Sequence, residues 1–195
     1  GEGLGNKFLS HIREVDAIVH VVRCFDDANI IHVDGTVDPL RDIDTIDLEL
    51  ILSDLESVKK RLDKAEKYVK TGEKSYIEEA ELLRKLNDTL ESGKPIRSLS
   101  LSEDEKAMTD GFFLITSKPV IYCANIGEND IGKSNAYSQK VKEFAEKEGS
   151  EYMEICAKVE EEIASLPKED RKMFLDEMGL AESGLSRIIK KGYEL

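Results

Sequence analysis

Three short apolar runs, rich in β-branched residues, punctuate an otherwise polar chain. Residues 17–22 (Ala17-Ile18-Val19-His20-Val21-Val22) read as a strand buried on both faces, since a parallel strand covered by helices on both sides is continuously apolar rather than alternating. Residues 118–125 read the same way, and residues 151–156 form a weaker third run. Helical spacing over residues 8–14 leads into the first run, and a helical pattern over residues 135–148 joins the second to the third. Parallel βα units are therefore expected.

Between the first two strands the apolar positions change period. Leu48, Leu52, Leu55, Val58, Leu62, Ala65 and Val69 advance in steps of three or four, a coiled-coil-like stripe. Thr71-Gly72 breaks it, and Ile77, Ala80, Leu83, Leu86 and Leu90 resume it, which predicts an antiparallel helical hairpin. Gly93-Lys94-Pro95 ends the second helix. Ser102 with Glu105 has the spacing of a capping box, so another helix is expected to start there. Further on, Leu166-Pro167 reads as a turn entering a helix and Met178-Gly179 as its stop. A last amphipathic helix then places Leu185, Ile188 and Ile189 on one face. No internal repeat or low-complexity segment is evident.

With 195 residues, 40% hydrophobic and 35% charged, the chain is long enough for one domain or a modest core with an insertion, and it leans toward solvated helical surface. Its net charge of −13 repels nucleic acid and anionic membrane except where basic residues cluster. Such a cluster exists: Lys59, Lys60, Arg61, Lys64, Lys67, Lys70 and Lys74 gather toward the hairpin tip. Asp63, Glu66 and Glu73 dilute it, so a solvated helix face is the competing reading. Cys24, Cys123 and Cys156 are widely separated, with no CxxC pair, and read as reduced thiols filling apolar space near strand ends. His20 alternates with valines and reads as a hydrogen-bonded core histidine, while His11 and His32 lack partners at metal spacing. No run is long enough to span a membrane, and the start lacks the basic and apolar regions of a signal peptide. The missing initiator Met and a glycine-rich turn opening onto an amphipathic segment raise the expectation that further sequence precedes Gly1.

Gly127-Glu128-Asn129-Asp130-Ile131-Gly132-Lys133-Ser134 matches the GxxxxGK[ST] pattern between a strand and a helix. A phosphate loop works by aiming successive backbone N–H groups at phosphate oxygens. Glu128 and Asp130 would set two carboxylates against those phosphates, and no DxxG accompanies the pattern. The competing reading is a polar strand-to-helix loop with Ser134 capping the helix.

Gly1-Glu2-Gly3-Leu4-Gly5-Asn6-Lys7-Phe8-Leu9, residues 19–25 (Val-His-Val-Val-Arg-Cys-Phe) and residues 32–39 (His-Val-Asp-Gly-Thr-Val-Asp-Pro) together resemble the YchF (Obg-like ATPase) family of P-loop nucleotidases. The resemblance continues through the helical insertion, residues 125–128, residues 156–160 and residues 182–185, and so covers essentially the whole chain. It implies that Gly1, Glu2, Gly3, Leu4, Gly5 and Asn6 belong to switch II. It also implies that Asn125 and Glu128 stand where GTPases carry their Asn-Lys-x-Asp base-reading motif. Ile126 would then lie beside the base, and Cys156, Ala157 and Lys158 would form the last nucleotide-binding loop, with Cys where Ser is commoner. A guanine-reading Asp accepts from the N1–H and exocyclic amine of guanine; Glu on an altered loop weakens that demand, and the resemblance accordingly implies a preference for ATP over GTP. One loop cannot hold both the base and the phosphates of one nucleotide, so the resemblance makes Lys133 a surface residue. It places the phosphate loop and the Mg²⁺ ligands before Gly1, and a TGS domain after Leu195.

The expected fold is α/β: part of a doubly wound, G-domain-like P-loop sheet with an inserted antiparallel coiled-coil hairpin and an exposed sheet edge and apolar face. The expected divisions are residues 1–46 and 118–195 for the G-domain parts and 47–117 for the insertion. The expected function is that of a cytoplasmic, ribosome-associated ATP hydrolase, with ATP and Mg²⁺ as cofactors and the ribosome as partner, but no membrane and no sequence-specific DNA. This chain alone would be inactive, with no catalytic residue or metal ligand of its own. The alternative is a non-catalytic interaction module whose hairpin docks ribosome or protein partners.

Overall fold

The computed structural model of the chain describes residues 5–27 and 35–194. The expected switch residues Gly1, Glu2, Gly3 and Leu4 lie outside the described residues, as do His32, Val33 and Asp34 of the resemblance. By contact the chain forms two compact units, one of residues 1–16 and 44–119, the other of residues 17–43 and 120–195.

The second unit holds a parallel sheet in the order β1-β2-β3: β1 (Ile18–Cys24), β2 (Val120–Ile126) and β3 (Glu151–Ile155). Its register pairs His20 with Tyr122, which in turn pairs with Tyr152. Because side chains alternate along a strand, Val120, Tyr122, Ala124 and Ile126 face one layer. There they meet Val141 and Ala145 of α5 (Ala136–Glu148) and Val159 and Ile163 of α6 (Ala157–Ser165). Ile121 and Cys123 face the other layer, with Met153, Ile155 and Ile188 of α8 (Gly184–Glu194). The doubly covered strand predicted at residues 118–125 is therefore β2. The same expectation fails for β1, whose Val19 and Val21 are 39% and 53% exposed. Ile188 packs on β2 and β3, and no described helix covers that face of β1. The terminal amphipathic helix forms as expected, with Leu185, Ile188 and Ile189 at helical spacing; Ile188 packs on the sheet while Leu185 and Ile189 are exposed.

The first unit opens with α1 (Asn6–Arg13) and is otherwise helical. The long helix α2 (Pro39–Val69) starts well before the stripe, at a proline that suits a first helical position, with Asp38 Oδ1 accepting from the Arg41 N–H at 3.3 Å. Gly72 takes φ +75° in the turn to α3 (Lys74–Glu91), a conformation that disfavours side chains. The pairing is antiparallel: Tyr68 stacks on Tyr76, Glu66 meets Arg84 and Lys59 meets Glu91. Val58, Ala65, Ala80, Leu83, Leu86 and Leu90 are buried in the seam as predicted, whereas Leu48 and Leu52 are more than half exposed and Ile51 takes the buried position. The hairpin ends before Gly93, again at positive φ, and Ser102 caps α4 (Glu103–Asp110) with the reciprocal box its spacing predicts.

Candidate nucleotide-base site

Ligands of open parallel sheets bind beyond the carboxyl ends of the strands, and here β2 and β3 end side by side. Asn125, paired with Ile155 across the sheet, turns its Oδ1 to accept the backbone N–H of Ala157 at 2.9 Å. That N–H is one of the donors a helix start leaves unsatisfied, and Cys156, at the cap position of α6, makes no side-chain cap bond. Asn125 therefore caps α6 from the neighbouring strand. With its oxygen engaged, its amide N–H groups make no hydrogen bond among the described residues. Glu128 opens a single 3-10 turn (Glu128–Asp130). Its Oε2 receives Lys158 Nζ at 2.7 Å, and this hydrogen bond, with the carboxylate charge, raises the lysine's pKa. So exposed a pair adds little stability, but it joins the two loops.

Of the predicted nucleotide-binding residues, Asn125, Glu128, Ala157 and Lys158 thus come together. Ile126 and Cys156 point inward: both side chains are buried in the sheet's core, so only their backbone is at the loops. Cys156-Ala157-Lys158, expected as a loop, is the start of a helix. Gly5 and Asn6 sit at the start of α1, in the other compact unit. The sequence reasoning missed Asn135. It, not Ser134, caps α5, accepting from Ser138 N–H at 2.8 Å. Its Nδ2 donates to the Cys24 carbonyl at 2.8 Å and to Asp130 Oδ2 at 2.9 Å, which ties the loop after β2 to the end of β1. An Asn directly before a helical run was the available signal.

The GxxxxGKS loop does not have the form of a phosphate cradle. The N–H groups of Asp130, Ile131 and Lys133 donate to the carbonyls of Gly127, Glu128 and Asp130, at 3.0, 3.4 and 2.8 Å, so they are turned into the loop itself. Lys133 is exposed. The thiols are shielded: burial pushes Cys24 up to about 12 and Cys123 to about 11. No described helix is long and apolar enough to cross a membrane.

A three-stranded parallel sheet whose central strand is covered on both sides is part of a P-loop-type α/β fold. No family model matches the sequence. The chain is 49% identical over 197 residues to the ribosome-binding ATPase YchF of Bacillus subtilis, spanning 100% of this chain and 54% of that protein. It is 42% identical over 197 residues to Obg-like ATPase 1 of Saccharomyces cerevisiae, spanning 97% and 50%. Among solved structures, the YchF GTPase of Schizosaccharomyces pombe superposes with a TM-score of 0.85 at 36% identity, over 100% of this chain and 53% of that one. The chain belongs to the YchF and Obg-like ATPase family, and it spans about half the length of the curated relatives it matches.

Proposed function

We propose that this chain is the base-recognition part of a cytoplasmic nucleotidase that hydrolyses ATP in preference to GTP and associates with the ribosome. The observation that carries the reading is the joining of Asn125 to Ala157 and of Glu128 to Lys158 at the carboxyl ends of adjacent parallel strands. The free amide of Asn125 donates to a ring nitrogen of the purine. The Glu128 carboxylate, an acceptor only, takes the exocyclic amine of adenine. Guanine presents a carbonyl oxygen at that position, which a carboxylate repels. Residues 1–6 act as the nucleotide-responsive segment, and residues 47–117 form an insertion between parts of the nucleotide domain. Among the described residues no group of three or more His, Cys, Asp or Glu side chains is arranged to hold a metal ion. Phosphoryl transfer needs donors around the γ-phosphate. The loop at residues 127–134 turns its amides inward, and the chain by itself does not hydrolyse ATP.

The relatives' names include both ATPase and GTPase, so the base preference is the point to test. Calorimetric titration of the whole protein should give tighter binding of ATP than of GTP. Asn125→Ala should weaken ATP by about ten-fold, the worth of one hydrogen bond to a buried ligand group. Equal affinity for the two nucleotides, or an unchanged Asn125→Ala, rejects the reading.

The hairpin is the ribosome-facing element. Lys59, Lys60 and Lys74 are committed to Glu91, Glu56 and Glu78, whereas among the described residues no carboxylate pairs with Lys64, Lys67 or Lys70. These three exposed cations lie at intervals of three residues through the end of α2 and into its turn, on a chain of strongly negative net charge. Reversing their charge should abolish salt-dependent co-sedimentation with ribosomes. Retained binding assigns contact to another surface.

A further inference from the structure

α1 is held in an unusual way. None of its side chains that are described is fully buried: Phe8 is 52% exposed, and Leu9 and Ile12 are partly buried. An eight-residue helix is unstable alone in water and depends on what it is tied to. Beside the partly buried Leu9 and Ile12, polar bonds tie it, and they converge on its last residue. Arg13 Nη1 donates to Asp54 Oδ1 at 2.9 Å and to the Phe113 carbonyl at 3.1 Å. Its Nη2 donates to the Ser53 carbonyl at 3.2 Å and to Ser53 Oγ at 2.8 Å. Asp54 is fully buried and also accepts from Ile115 N–H at 3.0 Å, Thr116 N–H at 2.7 Å and Thr116 Oγ1 at 2.8 Å. Phe113, whose carbonyl Arg13 reaches, sits at φ +54°, a strained position for a bulky residue, and its ring is exposed. Its backbone is therefore held by bonds rather than by burial of the ring. Past the helix, Lys118 Nζ donates to the Val15 carbonyl at 2.5 Å. By contact, residues 1–16 accordingly cluster with residues 44–119 and not with the strand they precede.

We propose that Arg13 is a positioning residue that fastens α1 to the helical unit, so that a conformational change arriving at the start of α1 is carried into the hairpin. The inference rests on the reading of residues 1–6 as nucleotide-responsive. Arg13 acts through α1 and touches no nucleotide. Coupling of this kind is a free energy shared by two sites and works in both directions: nucleotide state biases the hairpin, and hairpin docking biases the nucleotide segment.

The test uses the whole protein with Arg13→Gln, which leaves Asp54 its three donors from Ile115 and Thr116. Amide exchange over residues 7–14 should quicken by about ten-fold or more, while α2 and α3 stay within about two-fold of wild type. Arg13→Lys, which keeps the charge but not the fork, should fall between. Ser53→Ala removes one partner and keeps the ion pair; it should shift exchange the same way by about three-fold, and it serves if Arg13→Gln does not fold. The second readout is ribosome co-sedimentation with a non-hydrolysable ATP analogue against ADP. The wild-type difference should collapse in Arg13→Gln, with ATP affinity kept within about two-fold. Unchanged exchange in α1 overturns the fastening, and a preserved nucleotide difference beside a loosened α1 overturns the transmission. A wild type without any nucleotide difference rejects the nucleotide-responsive reading of residues 1–6 and with it the transmission, and the exchange result then decides the fastening by itself.

Discussion

Gly184 begins α8 where a side chain has no room: a Cβ there would lie 2.6 Å from Ile155 Cγ2 and 2.8 Å from Glu160 Oε1. The crowding follows from function, because Glu160 accepts the N–H groups of Gly184 and Leu185 at 2.7 and 3.1 Å and so caps α8 from α6. Gly184→Ala must shift the Ile155 side chain and the Glu160 cap, and should cost about 1–3 kcal/mol in a denaturant titration. The cysteines yield a second prediction. Burial raises the pKa of Cys24 to about 12 and of Cys123 to about 11, which favours the neutral thiol. Any stability linked to these shifts is fully present below the ordinary thiol value and is lost as pH rises through the folded one. The reactive species is the thiolate. A thiol reagent at about pH 8 should therefore leave Cys24 and Cys123 unmodified until the protein unfolds.

Among the elements, α4 is the one whose start was most fully readable. Ser102 Oγ accepts the Glu105 N–H at 3.2 Å, and Glu105 Oε2 accepts the Ser102 N–H at 2.9 Å. Ser102→Ala should cost about 1 kcal/mol. The Ser102 backbone N–H, and after it Lys85, hold the Glu105 pKa below the ordinary carboxylate value. A lowered folded value means that the stabilisation is present above the unfolded pKa and lost as pH falls through the folded one. The melting temperature of Glu105→Gln should thus lie below wild type at neutral pH, and the gap should close as the pH is lowered through the folded pKa of Glu105. The long helix shows the limit of periodic reading. Leu48 and Leu52 fit the spacing but are exposed, while Ile51 and the charged Asp54 are buried. Period fixes a stripe only to within a residue or so, and which neighbour turns inward depends on what lies opposite.

At the scale of the whole molecule the described residues form three hydrophobic clusters, one around Val58, Leu83, Leu86, Leu90 and Ile96, one around Val22, Tyr122, Ala124 and Val141, and a small one of Ile121, Cys123 and Met153. A cavity in one should loosen that one first. Leu86→Ala, at a fully buried position, should cost about 2–5 kcal/mol. Amide exchange should quicken in α2 and α3 while Cys123 stays protected from thiol reagents. The parallel βα architecture, the antiparallel hairpin, the capping box and the family were all determined by the sequence itself, because side-chain periodicity, glycine turns and motif spacing are local properties of the chain. The meeting of Asn125 with Ala157 joins residues far apart along the chain, as does that of Glu128 with Lys158, and only the β2–β3 register decided them. Tertiary structure alone also settled three further points. Among the described residues Val19 and Val21 of β1 stay exposed, Asn135 rather than Ser134 caps α5, and Arg13 of α1 pairs with buried Asp54. Each depends on which groups remain unsatisfied once the chain has folded back on itself, and local pattern carries no record of that.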